Sequence, residues 1–186
     1  MNKIIVIDRD GVINKDPAGW TKHNYVTCPE DFHFLPGAKE AIKRLSENGF
    51  DIIIVSNQAG ISKGYYSEKE LESVTRKMLE GLEASGGIIK KVYYCLHQDK
   101  DSCDCRKPKT GMLDRAEKEL GINVKGSFFI GDGKVDIEAG QKKGLKTVLV
   151  LSGKTDLARI AEWPVKPDYI FDDLKEAVEF ITGGGK

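Results

Sequence analysis

The chain alternates short, continuous apolar runs with segments whose apolar residues recur every three or four positions. Runs rich in β-branched residues, such as Ile4-Ile5-Val6-Ile7, are typical of strands buried on both faces of a parallel sheet. Apolar residues at helical spacing predict amphipathic helices that pack on such a sheet. The predicted strands are 4–7, 51–55, 91–95, 127–130 and 146–151, the predicted helices are 37–48, 67–84, 109–120 and 136–143, and two short elements are expected near 169–170 and 172–181.

Strands that alternate with helices predict βαβ units and therefore an α/β fold, a doubly wound parallel sheet in a three-layer sandwich. With 186 residues, the chain is expected to form a single domain over residues 1–186. Residues 15–36 show no clear period, and a loop of that length is expected to fold over a functional site as a flap. Neither this loop nor the segment between the second and third strands has room for a large cap domain, so an open, capless site is expected.

Composition and charge narrow the range of partners. The formal net charge is zero, because 29 lysine and arginine residues balance 29 aspartate and glutamate residues. We therefore expect no nucleic acid as partner. No apolar run has the length of a membrane span, and the chain opens directly into a strand without a leader. These features predict a cytoplasmic protein without a membrane partner, and we expect a monomer.

Chemically capable side chains follow four of the predicted strands. The carboxyl ends of parallel strands meet at one edge of the sheet, where ligands bind in open α/β folds. Carboxylates are the ligands that Mg²⁺ prefers, and lysine and arginine side chains bind a phosphate that is coordinated to the same ion. This combination is typical of phosphoryl transfer. The residues are Asp8 and Asp10 after the first strand, Ser56 and Asn57 after the second, Arg106 and Lys107 downstream of the third, and Asp132 and Asp136 after the fourth.

Each of these residues also has a structural interpretation. Asp8 or Asp10 can cap a turn that Gly11 completes, and an Asp-x-Asp-Gly turn alone does not separate the two interpretations. Ser56 can belong to a plain turn, Lys107 can be a solvated lysine, and Asp136 can be the N-cap of the following helix. Their occurrence together, each after its own strand, favours the catalytic interpretation.

Four segments of the chain carry a specific resemblance. Taken in order, they resemble the four motifs of the haloacid dehalogenase superfamily of phosphatases, and most closely its heptose-bisphosphate phosphatase group, which is related to histidinol-phosphatase domains. The resemblance covers nearly the whole chain, from about residue 3 to residue 151. The segments are Asp8-Arg9-Asp10-Gly11-Val12-Ile13-Asn14, Ser56-Asn57-Gln58-Ala59-Gly60-Ile61, Cys105-Arg106-Lys107-Pro108 and Gly131-Asp132-(x)3-Asp136.

The resemblance implies a role for each matched residue. It makes Asp8 both an Mg²⁺ ligand and the nucleophile that forms an aspartyl-phosphate intermediate, and Asp10 the acid and base whose main-chain carbonyl also binds Mg²⁺. The remaining roles are Asp132 as a further Mg²⁺ ligand supported by Asp136, Ser56 and Lys107 as the holders of the transferring phosphoryl group, and Asn57 and Arg106 as substrate-binding residues. A lysine often follows the motif-four aspartate in this group. Gly133 stands there in this chain, and Lys134 is expected to bind substrate in its place.

Three of the four cysteines cluster with a histidine within residues 95–105. Residues two apart in extended chain point to the same side, so Cys95 with His97 and Cys103 with Cys105 can form two facing pairs of ligands. Three thiolates and one imidazole make a closed tetrahedral zinc site. The alternative is buried thiols beside a surface histidine. The group named above carries a similar zinc loop, and the implied role is structural support for Arg106 and Lys107. Cys28 has no partner and is expected to be a plain small residue.

The expected function is thus the Mg²⁺-dependent hydrolysis of a small phosphorylated sugar. By resemblance, the substrate is D-glycero-D-manno-heptose 1,7-bisphosphate, cleaved at its 7-phosphate. Histidinol phosphate is the alternative substrate, because the same machinery would serve it. An alternative of another class is a non-catalytic phospho-receiver or binding module, which also places acids at strand ends of a doubly wound sheet.

Overall fold

A computed structural model describes residues 3–183, whose strands form one parallel sheet in the order β3-β2-β1-β4-β5-β6. The order reverses beside β1, so the prediction of a doubly wound parallel sheet is confirmed. The strands are β1 Lys3–Ile7, β2 Phe50–Asn57, β3 Ile89–Cys95, β4 Phe128–Gly131, β5 Lys146–Val150 and β6 Tyr169–Phe171. The helices are α1 Ala38–Glu47, α2 Glu68–Glu83, α3 Gly111–Leu120, α4 Lys134–Lys142, α5 Leu157–Ala161 and α6 Leu174–Thr182.

Both faces of the sheet are covered, as the continuous apolar runs require. In β1, Ile5 and Ile7 point into one core, which α1, α2 and α6 complete, and Val6 points into the other, which α3 and α4 complete. This alternation is the two-residue period of a strand. The sheet is therefore the middle layer of three, and its polar strand ends are the part that the helices leave open.

The observed element bounds move several side chains into regular structure. Strand β2 extends to Asn57, beyond the predicted end at residue 55, because β3 pairs with it as far as Cys95. Helix α4 begins at Lys134, so Asp136 lies in its first turn. Helix α2 begins as predicted, with Ser67 and Glu70 forming a capping box. No predicted element corresponds to α5, whose five residues are too few to establish a period.

The long loop 15–36 packs back onto the fold. Its residues Val26 and Phe32 are buried in the same core as Ile5. His23 stacks on Tyr65 with ring centroids 4.3 Å apart, which fixes the loop against the turn that follows β2. Within residues 3–183 the connections between strands are loops and single helices, in agreement with the capless prediction. None of the helices there is long and apolar enough to cross a bilayer. Residues 1–2 and 184–186 of the predicted domain lie outside the described residues.

Candidate active site

Asp8 is the first residue beyond β1, and its side chain meets a lysine from a distant part of the chain. Lys107 Nζ lies 2.8 Å from Asp8 Oδ1 and 2.6 Å from Asp136 Oδ1, and it donates a hydrogen bond to the Val55 carbonyl at 2.9 Å. The three side chains are almost completely buried. Burial alone would lower the pKa of Lys107, but the charges on Asp136 and Asp8 outweigh it and raise that pKa. Lys107 therefore carries its charge inside the site.

Asn57 fixes the main chain of Lys107. Its Nδ2 donates to the Lys107 carbonyl at 3.1 Å, and its Oδ1 accepts from the Lys107 amide at 3.0 Å. Both ends of the amide are thus used on the protein, although Asn57 lines the cavity as predicted. To contact substrate directly, as predicted, the Asn57 amide would have to share or give up these two hydrogen bonds. Its observed contacts instead join the end of β2 to the segment that carries Lys107.

Asp8, Asp132 and Asp136 form a buried cluster of carboxylates. One oxygen from each lies within 4.8 Å of the others. Burial is the main cause that raises the pKa of Asp8, and it raises the pKa of Asp132 to about 7. Asp132 Oδ1 is buried and accepts no hydrogen bond from any described residue. An orphaned carboxylate oxygen among other acids is the donor set that a hard divalent cation fits.

Two neighbouring glycines approach the Asp132 carboxylate closely. A Cβ atom at Gly11 would lie 2.5 Å from Asp132 Oδ2, and one at Gly153 would lie 2.1 Å from the same oxygen. Gly11 also has a φ of +81°, a conformation that favours glycine. The main chain therefore approaches this carboxylate more closely than any side chain would allow.

Lys154 is a site residue to which the sequence pattern assigned no role. Its amide donates to Asp132 Oδ2 at 3.0 Å, and its amine lies 3.6 Å from Asp132 Oδ1. Burial would lower the pKa of Lys154, but Asp132, Asp136 and Asp8 raise it. The available signal was its position just after the fifth strand, at the same edge of the sheet as the other strand-end groups.

Asp10 points its carboxylate into a set of hydrogen-bond donors. Arg9 Nη2 approaches both oxygens, at 3.0 and 2.9 Å, while Asn14 Nδ2 donates to Oδ1 at 2.9 Å and Gln58 Nε2 donates to Oδ2 at 2.7 Å. Burial would raise the pKa of Asp10, but Arg9 and then the two amides lower it. Asp10 still lines the cavity, with 19% of its side chain exposed. The carboxylate side chain lies apart from the cluster of Asp8, Asp132 and Asp136.

These groups surround a cavity of about 580 Å³. The lining includes residues of the loop 15–36, among them Tyr25, and residues of the segment between Lys154 and Trp163. Arg106 stands at the rim in an ion pair of 2.6 Å with Asp99, and Lys134 lies 3.4 Å from Glu138. The predicted site residues that line the cavity are Asp8, Asp10, Ser56, Asn57, Arg106, Lys107 and Lys134, whereas Asp132 and Asp136 lie beneath its floor.

The predicted thiol and imidazole ligands also come together. The ligand atoms of Cys95, His97, Cys103 and Cys105 lie within 4.8 Å of one another. Cys105 Sγ is 3.0 Å from Cys95 Sγ and 3.3 Å from His97 Nδ1. Cys28 is not part of the group. Three thiols and one imidazole are the ligand set of a tetrahedral zinc site. The last of these residues directly precedes Arg106 and Lys107 in the chain.

Comparison with known proteins agrees with this geometry. A family model described as HAD-hydrolase-like matches residues 104–177. The chain is 40% identical over 191 residues to the D-glycero-beta-D-manno-heptose-1,7-bisphosphate 7-phosphatase of Pasteurella multocida, with 98% of each chain covered. It is 36% identical over 188 residues to the protein of the same name from Haemophilus ducreyi, covering 97% of this chain and 98% of the relative.

A solved structure is also similar over the whole fold. The crystal structure of D,D-heptose 1,7-bisphosphate phosphatase from B. bronchiseptica, complexed with magnesium and phosphate, superposes with a TM-score of 0.89 at 28% identity. The match covers 97% of this chain and 98% of that one. The chain therefore belongs to the D-glycero-D-manno-heptose-1,7-bisphosphate 7-phosphatase family of the haloacid dehalogenase superfamily.

Proposed function

We propose that the protein hydrolyses the 7-phosphate of D-glycero-D-manno-heptose 1,7-bisphosphate, with Mg²⁺ in the carboxylate cluster. The observation that carries the proposal is the buried 2.8 Å ion pair between Lys107 and Asp8 at the wall of the cavity. A carboxylate held beside an ammonium group is oriented to attack a phosphorus atom whose oxygens the ammonium neutralises. The activity carried by the names of the relatives supports the sugar and the position of the phosphate.

The reaction takes two steps. In the first, an oxygen of Asp8 attacks phosphorus and the bond from phosphorus to the sugar oxygen breaks, while Asp10 gives that oxygen a proton. In the second, Asp10 takes a proton from water as the water oxygen attacks phosphorus. The bond from phosphorus to Asp8 then breaks, and inorganic phosphate leaves. Ser56 and Lys107 hold the phosphoryl oxygens in both steps, so the protein supplies positioning and charge neutralisation.

The residues that would hold Mg²⁺ are the carboxylates of Asp8 and Asp132 and the main-chain carbonyl of Asp10, with Asp136 supporting them. The orphaned Oδ1 of Asp132 and the hard oxygen donors fit this ion. When bound, the ion neutralises negative charge on the phosphoryl group. Asp136 has its own task, because its 2.6 Å contact with Lys107 orients the ammonium group toward Asp8.

Zinc is proposed for the group formed by Cys95, His97, Cys103 and Cys105, with a structural role. Its four protein ligands leave no open position for substrate. The metal would hold the loop 95–105 closed, and thereby keep Arg106 and Lys107 at the cavity. This is indirect support of phosphate recognition through the backbone of the ligand loop.

The rim of the cavity supports a small, doubly phosphorylated sugar as substrate. Arg106 and Lys134 are placed to meet the sugar or its second phosphate, while Asn57 acts by fixing the Lys107 main chain. A cavity of about 580 Å³ accepts a ligand of this size. We further propose one domain over residues 1–186, acting as a cytoplasmic monomer without nucleic acid or membrane.

A kinetic panel tests the proposal. With Mg²⁺ present, kcat/KM is expected to be at least about a hundredfold higher for the heptose bisphosphate than for histidinol phosphate, the difference that one well-made charged contact supplies. A higher value for histidinol phosphate would overturn the choice of substrate. If the protein took up one phosphoryl group and retained it, it would be a receiver, and the enzymatic proposal would fail.

A further inference from the structure

Gln58 lies between two groups of the proposed mechanism and is completely buried. Its Nε2 donates to Asp10 Oδ2 at 2.7 Å and to Ser56 Oγ at 3.0 Å. Its Oε1 accepts a hydrogen bond of 2.6 Å from the hydroxyl of Tyr66, which is itself buried. One side-chain amide therefore contacts both the acid and base of the reaction and the hydroxyl that faces the phosphoryl group.

The chemistry of Asp10 fixes the direction of every bond in this chain of contacts. Once Asp10 has given its proton to the leaving oxygen, its ionised carboxylate only accepts hydrogen bonds, so the atom of Gln58 that faces it has to be the nitrogen. Both hydrogens of that nitrogen are then used, one on Asp10 and one on Ser56. The amide oxygen consequently faces Tyr66, which donates to it. The amide orientation follows from these partners without an independent choice.

The hydrogen bond from Gln58 also orients the Ser56 hydroxyl. Because its oxygen accepts from Gln58, its own hydrogen points elsewhere, and within residues 3–183 it donates to no protein group. Ser56 lines the cavity, so the free hydrogen is available to a phosphoryl oxygen there. Hydrogen bonds that run in one direction also strengthen one another in a buried setting.

We propose that Gln58 is a positioning residue that sets two groups at once, holding the Asp10 carboxylate at the cavity wall and turning the Ser56 hydroxyl toward the phosphoryl group. The inference rests on the proposed phosphatase function. Arg9 and Asn14 also hold Asp10, but neither contacts Ser56. Only Gln58, among the described residues, joins the proton-transfer group to the phosphate-binding group. Tyr66 acts behind it by fixing the amide.

The test compares two esters that differ in their need for a proton on the leaving oxygen. The sugar oxygen of the heptose bisphosphate needs one, and the phenolate of 4-nitrophenyl phosphate does not. For Gln58→Met, which keeps the length but removes the donors, we expect kcat/KM to fall about thirtyfold on the sugar ester and about fivefold on the aryl ester. The loss common to both esters measures the contribution through Ser56. The additional loss, which is seen only with the sugar ester, measures the contribution through Asp10. Tyr66→Phe is expected to show a smaller loss with the same preference for the sugar ester.

Three further variants make the result decisive. In an Asp10→Asn background, Gln58→Met is expected to lose only the common part, and in a Ser56→Ala background only the additional part. Ser62→Ala removes a hydroxyl that bonds to the Ala59 carbonyl in the same turn, and we expect less than about a twofold change on either ester. Each protein is compared by thermal unfolding.

Two outcomes would overturn the inference. One is an equal loss on both esters for Gln58→Met, and the other is a loss that adds fully to those of Asp10→Asn and Ser56→Ala. Either result would make Gln58 a packing residue of the turn after β2. The underlying function fails differently. In that case the unaltered protein would release no phosphate from either ester, or Asp10→Asn would reduce the two esters equally.

Discussion

The chain contains two ligand clusters at the same edge of the sheet, and they differ in where their opposite charge comes from. The carboxylates of Asp8, Asp132 and Asp136 are buried, and the ammonium groups of Lys107 and Lys154 lie 2.6–3.6 Å from them. In the other cluster, Cys95 is buried at the end of β3, whereas Cys103 and Cys105 lie on the partly exposed loop that follows, and the thiols contact one another and His97 directly. The first cluster carries its own counter-charges, and under our proposal the second takes them from zinc.

This difference predicts that the two metals have different roles, one in catalysis and the other in holding the loop structure. Removal of Mg²⁺ should stop turnover and leave the fold intact, because lysine side chains still balance the buried acids. Removal of zinc should loosen the loop 95–105 and affect turnover only through the residues that follow it. The predictions below test the two halves of this contrast, beginning with the largest expected effect.

The strongest test of the chemical cluster is Asp8→Asn. We expect phosphate release to fall by at least about 10⁴-fold, because the amide cannot form the covalent intermediate. The melting temperature should change little, since Asp136 still pairs with Lys107. The matched control is Asp172→Asn, an exposed acid that follows β6 at the same edge of the sheet. Phosphate release near the unaltered level in Asp8→Asn would contradict the nucleophile assignment.

Lys107→Met tests whether this lysine supplies the counter-charge of the buried carboxylate cluster. The change removes the lysine that pairs with the buried carboxylates of both Asp8 and Asp136, so the free energy of unfolding should fall by about 3–5 kcal/mol. Turnover should fall about 10³-fold with it. Denaturant unfolding and initial rates measure the two effects. In Lys118→Met, which alters an exposed lysine of α3, neither quantity should move by more than about 0.5 kcal/mol. Unchanged stability in Lys107→Met would contradict the contrast.

Zinc removal tests the second cluster. In Cys103→Ser, we expect a lower melting temperature and a loss in kcat/KM of about ten- to a hundredfold, because the segment carrying Arg106 and Lys107 loses its anchor. Elemental analysis should show one zinc per chain before the change and less after it. Cys28→Ser alters a thiol outside the cluster and should leave metal content and activity unchanged. If Cys103→Ser kept its zinc and its melting temperature, the structural role would be wrong.

A smaller effect is expected in the pH dependence of the affinity of the carboxylate cluster for a divalent cation. Burial raises the pKa of Asp132 to about 7, so below that pH the metal-free site holds a proton that the cation has to displace. The affinity for Mn²⁺, used as a paramagnetic probe, should therefore fall about fivefold from pH 7 to pH 6 and become constant above about pH 8. Titration followed by electron paramagnetic resonance measures it. An affinity that is flat from pH 6 to 8 would contradict the prediction.

The smallest effect is expected for Lys134, at the rim of the cavity. Lys134 is 41% exposed and already lies 3.4 Å from Glu138, so Lys134→Ala should raise KM about threefold and leave kcat unchanged. Arg106→Ala should raise KM by more, about thirtyfold, since a guanidinium fork binds a phosphate more tightly. Initial-rate kinetics on the heptose bisphosphate separate the two variants. A larger effect at Lys134 than at Arg106 would place the substrate on the other side of the cavity.

The sequence predicted the sheet and the strand-end residues because both follow from local patterns. A buried apolar run that ends in Asp8, or in Asp132, carries the strand and the reactive group in a few consecutive residues. The partners of those groups were less accessible. Asn57 was expected to face substrate, yet its amide bonds twice to Lys107, and no local pattern reports a reciprocal bond across fifty positions. Lys154 and Gln58 were missed for the same reason, because their roles arise only after the strands align.

The close approach of Gly11 and Gly153 to Asp132 restricts how this enzyme can change. A side chain at Gly11 or at Gly153 would overlap the Asp132 carboxylate, so the two turns tolerate only glycine at these positions. Variation that preserves turnover is thereby directed away from the floor of the cavity and toward its walls. New substrate preferences should arise in the loop 15–36 and near Trp163, where side chains can be exchanged without moving the acid beneath them.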